Sequence, residues 1–409
     1  MSRVLITYEV FDQCNQTDFD ELKGLLEACD PHHTICNKPE SRIKSQDLEQ
    51  CDMLVLIRPR SLQAFELAKT ARRSGRFLVS FFDDDLMNLP NSRFIYRKRI
   101  RRILSVSNLL LGGNSLILSD YAPFMKRPRV ARLPLFSTDI KNKIRPVSPA
   151  SAPLQVLYAA GASHAHLFND IVGPAMKPLL ERYPDAFEFT FLGLQPNPAV
   201  FPSGAKIHLV SGMPYAEYTE FLKSNHFDLG LAPLLDNPFS NRKGLAKYID
   251  YSLIGILGLY SNCLPYTNRI RSGETGLLVK NNPEDWFNAF SFCAEHPDEV
   301  KRMAKNAQDE LLYCSHPEVI AAAIKNDAPE FFTLPKASKK VRMYNCRFAR
   351  FPLVAKMNHA WDERLFPFIE RRLLHPVSEL FHNLSEQIKT RGFFPAIAYY
   401  IKKPFKRNA

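Results

Sequence analysis

Short apolar blocks alternate with stretches in which apolar residues recur every three or four positions. In the first third the blocks are VLITYEV (4–10), DMLVLIR (52–58), RFLVSFF (76–82) and NLLLGG (108–113). Each reads as a strand, and intervening segments such as SLQAFELAKTARRSG carry the helical period. The pattern pauses at KNKIRPVSPASAP (141–153), a linker by its Pro, Ser and charge content. It resumes with LQVLYAAG (154–161), a helix over about 165–182, then FEFTFLG, KIHLVSG, a helix over about 216–223, DLGLAPL, GILGLYS and GLLVKN. Two closing helices lie between 283 and 312. Strand–helix repetition of this kind predicts parallel sheets covered by helices. The expected fold is therefore α/β, with two Rossmann-like lobes facing a cleft: residues 1–140, the linker 141–153 and residues 154–330. Residues 331–409 differ, being basic, aromatic and helical in pattern.

Composition sharpens this picture in three places. A chain of 409 residues with 45% hydrophobic content exceeds one ordinary core. It holds no apolar run long enough for a membrane-spanning helix, and its first residues read as a strand and not a leader. Cys14, Cys29, Cys36, Cys51, Cys263, Cys293, Cys314 and Cys346 form neither CxxC pairs nor zinc spacings, which suits a reducing, cytoplasmic setting. The net charge of +12 is concentrated in residues 331–409, where 16 Lys and Arg stand against 5 Asp and Glu. That leaves about +1 for the rest. A basic body that tracks nucleic acid is not expected; a near-neutral body with a cationic tail is.

The densest chemistry lies in FSNRKGLAKYIDYSLIGILGLYSN (239–262). Cations crowd the start of an expected helix beginning near Asn241, where the macrodipole disfavours them unless an anion sits in front. On that helix Lys243, Lys247, Asp250 and Tyr251 share or adjoin one face, with Arg242 just ahead. Cations plus helix amides suit a diphosphate, and a carboxylate two turns on suits ribose hydroxyls. The alternative is an ordinary Lys247–Asp250 surface pair. In the first lobe Asp83, Asp84 and Asp85 close a strand at the edge where clefts of such sheets open. They can orient an acceptor hydroxyl or take its proton, hold a metal, or cap the next helix. Arg58, closing the preceding strand, is placed to pair with them. Gly161, Ala162 and Ser163 form a small-residue turn beside His164; that histidine and His166 read equally as exposed helix-start residues.

The segment from 227 to 290 resembles the donor-binding half of GT-B nucleotide-sugar glycosyltransferases, the group called glycosyltransferase family four. The matching pieces are Ala232-Pro233-Leu234, then Lys247, Asp250, Tyr251 and Gly255, then Gly273, Gly276, Leu277, Leu278, Val279 and Trp286. The stretch from 56 to 90 is similar to bacterial polysaccharide glycosyltransferases ending in an IDDDL turn. The resemblance implies transfer of a sugar from a nucleotide diphosphate sugar to a hydroxyl of a glycan or lipid-linked acceptor, with retention. It implies Gly161, Ser163, His164, Arg242, Lys243, Lys247, Asp250 and Tyr251 around the donor, and Asp84, Arg58 and Lys247 around the chemistry. No metal or cofactor beyond the co-substrate is then required. Two departures stand out. Asp250 replaces the usual Glu, and Arg242 occupies the place of the first acid of the E-x7-E pair. An epimerase of the same fold, or a donor lobe without turnover, are the alternatives. The tail suggests a peripheral anchor on an anionic membrane, or helices packed on the first lobe.

Overall fold

The computed structural model describes residues 2–9, 13–89, 94–148, 150–334 and 337. The cationic tail from 338 onward, with its expected membrane contact, lies outside the described residues. Among the described residues twelve strands form two separate six-stranded sheets, both wholly parallel. In the first, β1 (Arg3–Tyr8), β2 (Thr34–Pro39), β3 (Met53–Ile57), β4 (Phe77–Phe82), β5 (Leu109–Gly112) and β6 (Val130–Arg132) take the order β2-β1-β3-β4-β5-β6. In the second, β7 (Leu154–Ala159), β8 (Phe187–Leu192), β9 (Ile207–Val210), β10 (Leu229–Ala232), β11 (Leu257–Ser261) and β12 (Leu277–Val279) take the order β12-β11-β10-β7-β8-β9. These are the two expected Rossmann-like lobes.

The inner strands β3, β4, β5, β10 and β11 are buried along their whole length. That follows from helices on both faces of a parallel sheet, and it explains their unbroken apolar sequence. The second lobe's core is an aromatic stack in which Phe168, Phe189, Phe191 and Phe201 meet at centroid distances of 4.8–6.4 Å. The helix expected over 165–182 is broken. Ala165–Leu167 leads into a wide turn at Phe168–Val172 and a tight one at Gly173–Ala175, where Pro174 supplies no amide, before Met176–Arg182.

The end of the second lobe departs from the expected boundary at 330. After the closing helices Pro283–Glu295 and Pro297–Cys314, the helix Pro317–Ile324 packs on the first helix of the chain, Gln13–Cys29. Ile320, Ile324, Ala328, Phe331 and Leu334 are all buried in the first lobe's core. His33 donates to the Phe331 carbonyl at 2.7 Å, and Arg129 pairs with Glu330. The apolar side chains alone decide this, since they find their counterpart surface on the first sheet. Phe331 and Leu334, expected to open the tail, belong to that core.

Candidate functional site

Strand order reverses between β1 and β3 in the first sheet and between β7 and β10 in the second. At such points neighbouring loops diverge and leave a crevice at the carboxyl edge. The residues of interest follow these strands. Arg58 comes directly after β3, Asp83–Asp85 after β4, Gly161–His164 after β7, and residues 240–243 follow β10.

Arg58 turns the chain with φ of 46°, an uncommon conformation for a residue with a Cβ, and its amide donates to the Phe81 carbonyl at 2.9 Å. Its guanidinium grips Asp83 with two nitrogens and lies 3.0 Å from Asp18. Asp18, Asp83 and Asp84 stand around this cation, and Glu21 lies near it and Lys143. Burial, then the negative charge of Asp83, pushes the Asp18 carboxyl well above its usual range. Burial chiefly, with Asp83, pushes Glu21 up to about 7. The first-lobe wall therefore holds protons that ordinary carboxylates release.

Each of the three consecutive aspartates meets a different cation. Asp83 pairs with Arg58; Asp84 lies 3.5 Å from Lys243; Asp85 lies 3.2 Å from Arg242. Asp85 is fully buried and also accepts from the Tyr121 hydroxyl at 3.0 Å and the Asn88 amide at 2.8 Å. Two of these cations come from the second lobe, so the turn ties the lobes together. Asn114 adds to the tie. Its side-chain oxygen caps the helix Ser115–Tyr121, while its amide donates to the carbonyls of Asn241 and Lys243 at 3.1 and 3.0 Å.

Three expectations for the second lobe are corrected here. The helix does not begin near Asn241. Ser240–Arg242 form a tight turn, Lys243 is extended, and the helix runs Ala246–Leu253. Two ties set this turn: the neighbouring Asn237 accepts from the Ser240 amide at 2.8 Å, and Asn114 of the first lobe holds the Asn241 and Lys243 carbonyls. Arg242 and Lys243 thus lie on the loop ahead of the helix. Arg242 is no donor contact in this arrangement, because Asp120, Asp85 and the Pro238 carbonyl occupy its guanidinium. Tyr251 faces the core, where it is fully buried and donates to the Leu231 carbonyl at 2.6 Å.

What remains exposed to the crevice is consistent in charge. Lys247, in the helix's first turn, is 3.7 Å from Asp250, the pair that spacing alone allowed. Asp250 also accepts from the Tyr218 hydroxyl at 3.0 Å, and burial raises its carboxyl above the usual range. His164, half-buried after β7, is held below the usual imidazole range by burial and then by the charge of Lys243, with His166 and Lys247 adding. Lys243 and Lys247 therefore both lie near the turn Ala162–His164, each with one carboxylate partner, Asp84 and Asp250. His166 instead donates to the Ser163 carbonyl at 2.8 Å, and Ser163 contacts the His164 ring at 3.4 Å. Gly161 has only the His164 ring within reach of an added Cβ, at 3.9 Å. Among the described residues no group of three or more His, Cys, Asp or Glu is arranged to hold a metal ion.

Sequence reasoning missed Asp18, Glu21, Asn114, Asp120 and Tyr218. Asp18 and Glu21 read as an ordinary polar face of a first helix, and the others acquire meaning only from partners about 30 to 130 positions away.

No family model and no curated protein matches the chain. Solved structures do match in fold. Sucrose-phosphate synthase from Thermosynechococcus elongatus superimposes with a TM-score of 0.55 at 12% identity, covering 82% of this chain and 100% of that one. HepE from Anabaena, solved with UDP-glucose, gives 0.54 at 13% identity over 81% and 100%. An α-glucosyltransferase solved with UDP gives 0.53 at 11% identity over 77% and 96%. The two parallel lobes of this chain are those of the GT-B fold.

Proposed function

We propose that the protein is a glycosyltransferase that moves a sugar from a nucleotide diphosphate sugar to a hydroxyl of a glycan or lipid-linked acceptor, with retention. The observation that carries this reading is the convergence of Lys243, Lys247 and His164 at the carboxyl edge of a GT-B donor lobe. In the proposed step the bond from the anomeric carbon to the diphosphate oxygen breaks. The acceptor oxygen bonds to that carbon, and the hydroxyl proton passes to the departing diphosphate. Lys243 and Lys247 stabilise the charge that builds on the leaving group. Asp250, kept in place by Tyr218, accepts from the ribose. Asp84 orients the acceptor hydroxyl, and Arg58 is a positioning residue that fixes the aspartate turn through Asp83. No dedicated base is required, because the leaving group serves.

Calorimetric titration with UDP, GDP, ADP and dTDP tests this. The UDP and UDP-glucose in the similar structures make UDP the first choice. One nucleotide is expected to bind at micromolar strength, and Lys243→Ala to weaken it about tenfold or more, the worth of one charge-assisted contact. Asp250→Asn should weaken it as well. Asp84→Asn should leave nucleotide bound while slowing transfer. A folded protein that binds none of the four overturns the proposal, and binding indifferent to Lys243 overturns the assignment of the site.

A further inference from the structure

The near-neutral body conceals a strong local imbalance. Between Asp85 and Asp139 the sequence has ten lysines and arginines against one acid, Asp120, and that acid is committed to Arg242. Much of this charge is gathered on one face of the first lobe. In the helix Phe94–Leu104, Ile100, Ile103 and Leu104 are buried, while Phe94, Lys98, Arg101 and Arg102 are exposed. Their spacing of four, seven and eight positions from Phe94 puts them on a single stripe. The helix packs on the turn Ala122–Phe124, with the Arg101 guanidinium 4.7 Å above the Phe124 ring, and the chain then exposes Lys126, Arg127, Pro128 and Val130. It also packs on the helix Leu62–Arg73, whose last turn exposes Arg72 and Arg73.

We propose that this face docks on an anionic lipid bilayer, with its cations among the headgroups and Phe94 inserted below them. A phenyl ring 72% exposed at the start of a basic stripe is costly in water and gains by entering the interface. Val130, 40% exposed, and Pro128 extend the same mixture of apolar and cationic surface. That mixture favours a lipid surface over duplex nucleic acid, which would be met by hydrogen-bonding side chains, and the aliphatic Val130 and Pro128 offer no stacking platform to a single strand. The location is informative too. Arg60, two residues after Arg58, stacks on Tyr96 at 5.4 Å, so the Phe94 end of the helix lies at the carboxyl edge of the first sheet. Docking lays the flank of the first lobe on the membrane, from Phe94 at the carboxyl edge to Lys126 and Arg127 just ahead of β6 at the amino edge. The docking itself does not depend on the sugar-transfer reading.

The test uses the full chain and sedimentation with phosphatidylcholine vesicles, with and without about a third of phosphatidylglycerol. Binding is expected to anionic vesicles only, and to fall as salt rises. Lys98→Gln/Lys126→Gln/Arg127→Gln removes three exposed charges and should weaken it about a hundredfold, roughly fivefold for each cation near the surface. The tail keeps its charge in this variant, so undiminished binding assigns the membrane contact elsewhere and overturns the proposal. Phe94→Trp, read as the difference from the parent protein, should shift its emission to the blue with anionic vesicles; an unchanged emission overturns insertion. Tight binding of a single-stranded RNA probe, lost in the triple variant while vesicles remain unbound, overturns the lipid assignment.

Discussion

Glu40 carries its carboxyl into the first lobe with only 2% of its surface exposed. The Ser61 hydroxyl donates to it, and the same hydroxyl accepts from the Ala64 amide at 2.8 Å to cap the helix Leu62–Arg73. Burial, with the nearby Glu9, pushes the carboxyl up from 4.5 to about 8. The sign of the linkage follows. Between these two values the folded chain holds a proton that the unfolded chain has released, so stability falls as pH rises through the window and levels off above it. Below about 4.5 both states are protonated and the group imposes no penalty. Urea unfolding at pH 5 and pH 8 is expected to show the parent losing stability at the higher pH. Glu40→Gln, which cannot ionise, should lose roughly 3 kcal/mol less, since each tenfold difference in proton affinity is worth about 1.4 kcal/mol. Equal losses in the two proteins would mean that Glu40 ionises freely in the folded chain. Nothing in ESR (40–42) announces this in sequence, because the burial comes from a helix about twenty positions later.

At the scale of elements, the strand β10 and the helix Ala246–Leu253 are made for each other by one missing side chain. A Cβ on Gly230 would stand 2.7 Å from three atoms of the Tyr251 ring, and that ring is pinned by its hydroxyl on the Leu231 carbonyl. Gly230→Ala is therefore expected to cost about 1–3 kcal/mol, as overpacked cores do. Gly244→Ala, where an added Cβ meets nothing within 4 Å, should stay within about 0.5 kcal/mol of the parent. Thermal unfolding of the pair decides it, and equal effects would show that the helix moves to make room. A second glycine of the same motif has a backbone reason. Gly255 sits at φ of 69° where the linker crosses, 3.0 Å from the Val147 Cα to an added Cβ. These elements were legible because burial on both faces writes continuous apolar runs. The edge strands β2 (TICNKP) and β6 (VAR) were not. Their partly exposed positions remove the need for such a run, and a three-residue strand carries too little pattern. The site divides in the same way. Arg58, the aspartates, Lys243, Lys247 and Asp250 stand at strand ends or in an ordered motif that a sequence displays. The ties from Asn114, Asp120 and Tyr218 are set by lobe-to-lobe or helix-to-helix packing, which it does not.

For the whole molecule, the two lobes are linked twice by different means. One link is polar, through Arg242, Lys243 and Asn114 at the crevice. The other is apolar, because the chain that completes the second lobe returns to finish the first. Residues 317–334 bury Ile320, Ile324 and Phe331 against β1, β3 and the helix Gln13–Cys29, so the first core is incomplete until more than 330 residues have been made. Phe331 is 1% exposed there, and its backbone carbonyl accepts from buried His33. Phe331→Ala leaves that hydrogen bond available and removes only the ring, at an expected cost of about 3–5 kcal/mol for a buried aromatic. The loss should not spread evenly. Amides of β1 and β3 are expected to exchange with solvent markedly faster in the variant, while those of β7 and β8, in the aromatic core of the other lobe, keep the parent's protection. Hydrogen exchange resolved by segment distinguishes this from its opposite. Equal acceleration in both sheets would mean that the polar link at the crevice makes the lobes one cooperative unit, so that weakening either core opens the site.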